Sequence, residues 1–234
     1  MTLFNHTSLR ALIVMAHPDD AEIGCFGTMM ALRARGYEVH LLIVGSGEHG
    51  VSIQARAQGA GTLEPSLRLK ESMAAFDKTG VKVESLLHED GALEVTRQLI
   101  SEIEAKVKSF KPALLITHHL DLTGLDHQDH QAVARAVLNA SARSRSVETL
   151  LYSEPHLSRT HFNPTVFVDI TRYHAQKLEA LKAHQSQAGR VYLSERYHQS
   201  RGLRNAHKAG TWLMEEDLCF ESFELGLAVV AEAP

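Results

Sequence analysis

The chain has 234 residues, 44% of them hydrophobic and 22% charged, which is enough to bury one full core as a single domain spanning 1–234 without disulfide staples. Lys and Arg total 24 against 28 for Asp and Glu, so a net charge of -4 leaves no basic footprint for nucleic acid or anionic lipid and favours a small-molecule partner. The two cysteines cannot form a disulfide framework, no run approaches the roughly 18 apolar residues of a transmembrane helix, and Asp19 and Asp20 interrupt the first hydrophobic run, so a cytoplasmic setting is expected.

Leu9 to Ala16 is a continuous apolar run that stops at His17-Pro18, as expected for a strand buried on both faces. Ala21 to Arg35 has helical character and ends at Gly36, and Glu38 to Val44 is a second strand running into Gly45-Ser46-Gly47. A Gly- and Gln-rich loop follows through Gly61, of the length that often carries function. Leu67 to Lys78 is predicted helical, Val81 to Leu87 extended, Leu93 to Ser109 helical and Ala113 to Thr117 extended. Gln128 to Ala142 is a further helix, Glu148 to Tyr152 and Val166 to Ile170 are strands, and Thr171 is the expected N-cap of a helix reaching about Gln185. The last forty residues carry no clear period. Strands alternating with helices imply right-handed crossovers and an α/β, Rossmann-like three-layer sandwich with a mainly parallel sheet. In a 3-2-1-4-5 strand order the first and fourth strands are neighbours, and ligands gather outside their carboxyl ends.

Both of those ends carry unusual chemistry. The first delivers His17-Pro18-Asp19-Asp20, and the fourth delivers Thr117-His118-His119 and then His127-Gln128-Asp129-His130 at a helix start. The chain holds 15 histidines, and His supplies most acid–base and transition-metal chemistry near neutral pH. An isolated HPDD could be a capped turn, and DHQDH a polar helix start. Cationic His gains nothing from a helix N-terminus, however, so two such clusters at adjacent strand ends are better explained by a metal: two His and one Asp complete a catalytic zinc set.

With these motifs the chain resembles the PIG-L/LmbE-like metal-dependent N-deacetylases of N-acetylglucosamine-type sugars. Ala16-His17-Pro18-Asp19-Asp20-Ala21-Glu22 matches the opening motif, and Thr117-His118 with His127-Gln128-Asp129-His130 matches the second signature. Gly47-Glu48, Arg68-x-x-Glu71, Glu89-Asp90-Gly91-x-Leu93, Ala183-His184-x-Ser186-Gln187 and Glu221-Ser222-Phe223 agree as weaker landmarks. The resemblance implies His17, Asp20 and His130 as metal ligands, Asp19 as general base and His127 as support for the tetrahedral intermediate. It also implies Arg68 and Asp90 as contacts to substrate hydroxyls. Asp129 is expected to hold His127 or His130 in its working tautomer. The chain departs from some members in placing Leu125 where they carry a mobile tyrosine.

The expected reaction is removal of an N-acetyl group by metal-activated water, releasing acetate and a free amino sugar. Zinc is the expected metal, with Fe(II), Co(II) or Mn(II) able to use the same ligands. Two rival readings use the same residues: a non-catalytic metal- or sugar-binding module, and a non-haem Fe(II) oxygenase, whose usual β-barrel the α/β pattern disfavours. A homo-oligomer is compatible with the sequence.

Overall fold

The computed structural model describes residues 4–120, 126–156, 161–211 and 218–229, and seven strands among them form one sheet. The strands are β1 (Arg10–Met15), β2 (Glu38–Gly45), β3 (Lys82–His88), β4 (Leu114–His118), β5 (Thr149–Ser153), β6 (Val166–Asp169) and β7 (Phe220–Ala228). Their order is β3-β2-β1-β4-β5-β7-β6. The first five are parallel, and β7 runs antiparallel to both β5 and β6. As expected, β1 and β4 are adjacent, and the chain order reverses between them.

Among the described residues there are eight α-helices: α1 (Asp20–Gly24), α2 (Phe26–Ala34), α3 (Ile53–Ala57), α4 (Pro65–Ala75), α5 (Arg97–Phe110), α6 (Gln128–Ser141), α7 (His174–Lys182) and α8 (Glu195–Lys208). Alternate residues of β1 enter two separate cores. Ala11, Ile13 and Met15 pack with Phe26, Met29 and Leu32 of α2, whereas Leu12 and Val14 pack with Leu99, Ile103 and Val107 of α5 and Val133 and Val137 of α6. Both faces of the strand are therefore dry, which explains its unbroken apolar run. Each such Leu or Ile contributes about 1.5–3 kcal/mol by leaving water.

The helix expected over 21–35 is in fact two. At Cys25 the backbone leaves the helical region (φ -149°), so α1 ends with unpaired carbonyls and α2 starts with unpaired N–H groups. A buried ion pair from elsewhere meets both. Lys177 donates to the Ile23 carbonyl at 2.8 Å, and Glu221, 2.7 Å from Lys177, accepts from the Gly27 and Thr28 N–H groups at 3.0 and 2.7 Å. Cation at a C-terminus and anion at an N-terminus also match the two helix dipoles. Cys25 and Cys219 are free and buried.

Other boundaries shift for local reasons. The helix expected from Leu93 begins at Arg97, because the Thr96 side chain accepts from Leu99 N–H at 3.1 Å and caps it there. The one expected over 67–78 starts earlier, at Pro65, which needs no N–H partner in a first turn. Thr171 is not an N-cap: Asp169 accepts from its N–H at 2.9 Å, Thr171–Tyr173 forms a 3₁₀ turn, and α7 ends at Lys182. The unassigned C-terminal stretch contains α8 and β7. Among the described residues no helix is long and apolar enough to cross a membrane.

Candidate metal and catalytic site

The carboxyl ends of β1 and β4 open into a cavity of about 620 Å³ whose lining includes His17, Asp19, Asp20, Arg68, Asp90, His127 and His130. At its base the turn after β1 is closed by the His17 N–H, which donates to Asp20 Oδ2 at 2.7 Å. Asp19 sits on this turn at φ 108°, a left-handed conformation that a residue other than glycine adopts only under strain. The strain separates two adjacent carboxylates. Asp20 faces the imidazoles, with Oδ2 3.4 Å from His17 Nδ1 and Oδ1 3.4 Å from His130 Nε2. Asp19 instead pairs with the Arg68 guanidinium at 2.8 Å, a charge contact without hydrogen-bond alignment.

Each of these two imidazoles is braced from its other nitrogen by a carboxylate. His17 Nε2 lies 3.0 Å from Asp129 Oδ2 and 3.1 Å from Asp90 Oδ1, leaving Nδ1 toward Asp20. His130 Nδ1 lies 3.1 Å from Asp126 Oδ1, leaving Nε2 toward Asp20. Metal-binding histidines are commonly oriented in this way. The Asp129 carboxylate therefore serves His17 rather than His127 or His130, and it also accepts from Gly91 and Leu93 N–H at 2.7 and 3.1 Å. It is the Asp129 backbone that touches His127, donating to Nδ1 at 3.2 Å and making His127 the N-cap of α6. With Nδ1 accepting, the proton of neutral His127 is on Nε2.

Among the described residues three overlapping clusters have ligand atoms within 4.8 Å of one another: His17 with His127 and His130, Asp20 with His118 and His130, and His17 with Asp90 and Asp129. His118 Nε2 is already used, because it accepts from Ala16 N–H at 2.8 Å. Asp90 and Asp129 occupy the far side of His17. What remains facing inward is His17 Nδ1, the Asp20 carboxylate and His130 Nε2, a donor set of the kind zinc takes. The electrostatics agree. Burial lowers the basicity of His17 and His130, but Asp129, Asp20 and Asp90 outweigh it at His17, and Asp20 and Asp126 outweigh it at His130, which is raised to about 9. The cluster thus stabilises positive charge, which a divalent cation could supply in place of those protons.

Asp19 differs from Asp20. Burial pushes its carboxyl up, against the lowering effect of Arg68, while the histidines beside Asp20 hold that group well below its usual range despite burial. Arg68 is buried and committed, donating to the Gly47 and Pro18 carbonyls besides its Asp19 contact, so it locks the turn that carries Asp19. Asp90 is likewise tied, accepting from His49 N–H at 2.9 Å as well as facing His17. Both expected substrate contacts line the cavity, and each also holds a neighbour in place.

His49 is an exposed member of the cavity lining. His119 turns away from it, 3.0 Å from Glu224 and edge-on to Phe162. His184 is buried behind the site, 2.9 Å from Glu22. Position 125 lies outside the described residues. The sequence reading missed four contributors. Asp126 had a signal, its i to i+4 spacing from His130. His156, Tyr192 and Arg190 come from loops after β5 and before α8, with nothing in the neighbouring sequence to link them to the site. The His156 ring is 5.4 Å from His130 and 5.0 Å from Tyr192, and burial lowers the His156 pKa to about 4.

Residues 12–141, more than half the chain, match the family described as PIG-L, GlcNAc-PI de-N-acetylase. The chain belongs to the PIG-L family. Among PIG-L relatives, it is 29% identical over 193 residues to the diacetylchitobiose deacetylase of Thermococcus kodakarensis, covering 76% of this chain and 70% of that one. It is 28% identical over 183 residues to the probable N-acetyl-alpha-D-glucosaminyl L-malate deacetylase 2 of Bacillus cereus, covering 75% and 82%. Its fold matches that of GalB, the 4-carboxy-2-hydroxymuconate hydratase of Pseudomonas putida, with a TM-score of 0.78 at 21% identity over 96% of this chain and 99% of that one.

Proposed function

We propose that the chain is a metal-dependent deacetylase that removes the N-acetyl group from an amino sugar or its conjugate. His17, Asp20 and His130 would hold the metal, with zinc as the first choice for two imidazoles and a carboxylate and Fe(II), Co(II) or Mn(II) as substitutes. When bound, such a metal supplies a water of lowered pKa and polarises the acetamide carbonyl.

The observation that carries the reading is the divergence of two adjacent carboxylates. Metal binding alone requires Asp20. It does not require Asp19, which is held on a strained turn by Arg68 and directed to the same cavity. A carboxylate raised by burial and not spent on the metal suits a general base that takes a proton from the attacking water. His127, with its proton on Nε2, donates to the oxygen that gains charge in the tetrahedral intermediate, a contribution typically of about 3 kcal/mol. Collapse then requires a proton on the leaving nitrogen, from His127 or from protonated Asp19. Asp129 and Asp90 orient His17, and Asp126 orients His130.

Two free, buried cysteines accord with a reducing compartment, and the cytoplasm is the proposed location. The test is acetate release from N-acetylated sugars, free and conjugated, by protein of known metal content with and without chelator. Chelator-sensitive release supports the reading; no release from any substrate by fully metallated protein overturns it.

A further inference from the structure

Two arginines in the cavity lining, Arg56 of α3 and Arg190 of the loop before α8, have no role in the chemistry described above. Every cavity carboxylate already faces a cation or an imidazole: Asp19 faces Arg68, Asp20 faces His130 and His17, and Asp90 faces His17. Among the described residues no carboxylate lies within ion-pair distance of Arg56 or Arg190. They are a net positive charge on the wall of a cavity in a chain whose overall charge is -4.

Arg190 is also fixed in place. Its Nη2 donates to the Gly50 and Val51 carbonyls at 3.1 and 3.3 Å, and its guanidinium lies 5.8 Å from the Tyr192 ring centre. Gln187 donates to the same Gly50 carbonyl at 2.7 Å, so the loop after β2 and the segment before α8 are stitched together at this wall. The Arg190 Nε is buried with no hydrogen-bond partner. A buried donor left unpaired is costly, and a shift of the guanidinium that brought it against an anion in the cavity would remove that cost. Arg56, anchored through the His49 carbonyl at 3.1 Å, is exposed and presents its charge to solvent.

We propose that Arg190 and Arg56 form an anion subsite that selects amino-sugar conjugates carrying a carboxylate or phosphate group over neutral sugars. The inference rests on the deacetylase reading for the sugar and on the arginines for the charge. Guanidinium groups suit both anions, because their planar fork matches either geometry.

The zinc-loaded protein is assayed with N-acetylglucosamine and N,N'-diacetylchitobiose as neutral substrates. N-acetylglucosaminyl malate and N-acetylglucosamine 1-phosphate are the anionic ones. Binding of all four to the zinc-loaded Asp19→Asn protein is measured in parallel by calorimetry. Expected are a preference of tenfold or more for at least one anionic conjugate, carried by KM and weakened by added salt, and a fall of at least fivefold in the anionic-to-neutral ratio in Arg190→Gln and in Arg56→Gln. The larger of the two anionic preferences tells carboxylate from phosphate. Arg56 is exposed, so its variant keeps the test open if the Arg190 variant fails to fold. Equal binding of neutral and anionic sugars, or a ratio unchanged in the variants, overturns the subsite. Absence of acetate release from all four overturns the deacetylase reading, and calorimetry then judges the subsite alone.

Discussion

The Asp129 carboxylate lies 3.0 Å from His17 Nε2, on the far side of the imidazole from Asp20. One buried acidic group thereby fixes the face that His17 turns to the cavity and, through Gly91 and Leu93 N–H, ties the loop after β3 to the start of α6. Asp129→Asn removes the charge and one of these acceptors while keeping the shape. Zinc affinity, measured by competition with a chelator, is expected to fall about 10–100-fold, the usual cost of losing such a partner. Unchanged affinity would mean that His17 is not a ligand through Nδ1.

His127 combines two functions that substitution can separate. Its Nδ1 caps α6, and its Nε2 is the proposed donor. Asn is a good N-cap but cannot place a donor at the Nε2 position. His127→Asn is therefore expected to keep metal content and melting temperature while kcat falls roughly 100- to 1,000-fold. His127→Ala should lose the same activity and about 1 kcal/mol of stability in addition. Retained kcat in both would remove His127 from the chemistry.

The parallel strands and the convergence of the two His/Asp motifs were legible chiefly because β1, β2 and β4, which position the site, are largely apolar runs closed by turns or polar residues. What was not legible depends on polar residues doing the packing. The buried side of α8 contains His198, Arg201 and Asn205, so it lacks an apolar 3.6-residue period, and β7 buries Glu221 and Ser222. The break at Cys25 is stabilised by Lys177 and Glu221, more than 150 residues further along the chain, and no local signal at Cys25 reveals it. For Arg68 and Asp90, motif position located them in the cavity, but their internal contacts to Asp19 and His17 come from residues distant in the chain and carry no local signal.

Asp126 was passed over in favour of Asp129, and the two brace different ligands. Asp126 Oδ1 is 3.1 Å from His130 Nδ1, and it also accepts from its neighbour His127 N–H at 2.8 Å. Asp126→Asn is expected to weaken zinc binding about 10–100-fold, comparably to Asp129→Asn. Because the two act on separate histidines, the double variant should approach the product of the single losses. A double variant no worse than either single one would place both carboxylates on one ligand.

The Lys177–Glu221 pair holds two helix ends inside the core, with both side chains only 4% exposed. Removing one partner leaves an uncompensated buried charge, at a cost of about 3–5 kcal/mol. For a chain of this size each kcal/mol shifts the melting temperature by about 2–4 °C, so Glu221→Gln should melt roughly 10 °C below wild type. Thermal unfolding followed by circular dichroism measures it; a shift under about 2 °C would mean that the caps of α1 and α2 contribute little.

Glu154 gives the fold an acid-sensitive point away from the metal ligands. Burial alone would raise its carboxyl, but Arg201, Asn205, Arg204 and Ser222 outweigh it and hold the group at about 2, below its ordinary 4.5. A group depressed in the folded state contributes stability that is fully present above its unfolded pKa and is lost as pH falls toward the folded one. The window is therefore pH 4.5 down to about 2. Wild type should be clearly more stable than Glu154→Gln at pH 6, and the gap should narrow steadily below pH 4.5 as wild type protonates. Urea unfolding at a series of pH values measures both curves. A gap that stays constant down to the lowest pH at which the protein remains folded would show that the Arg201 contact stabilises the fold through packing rather than charge.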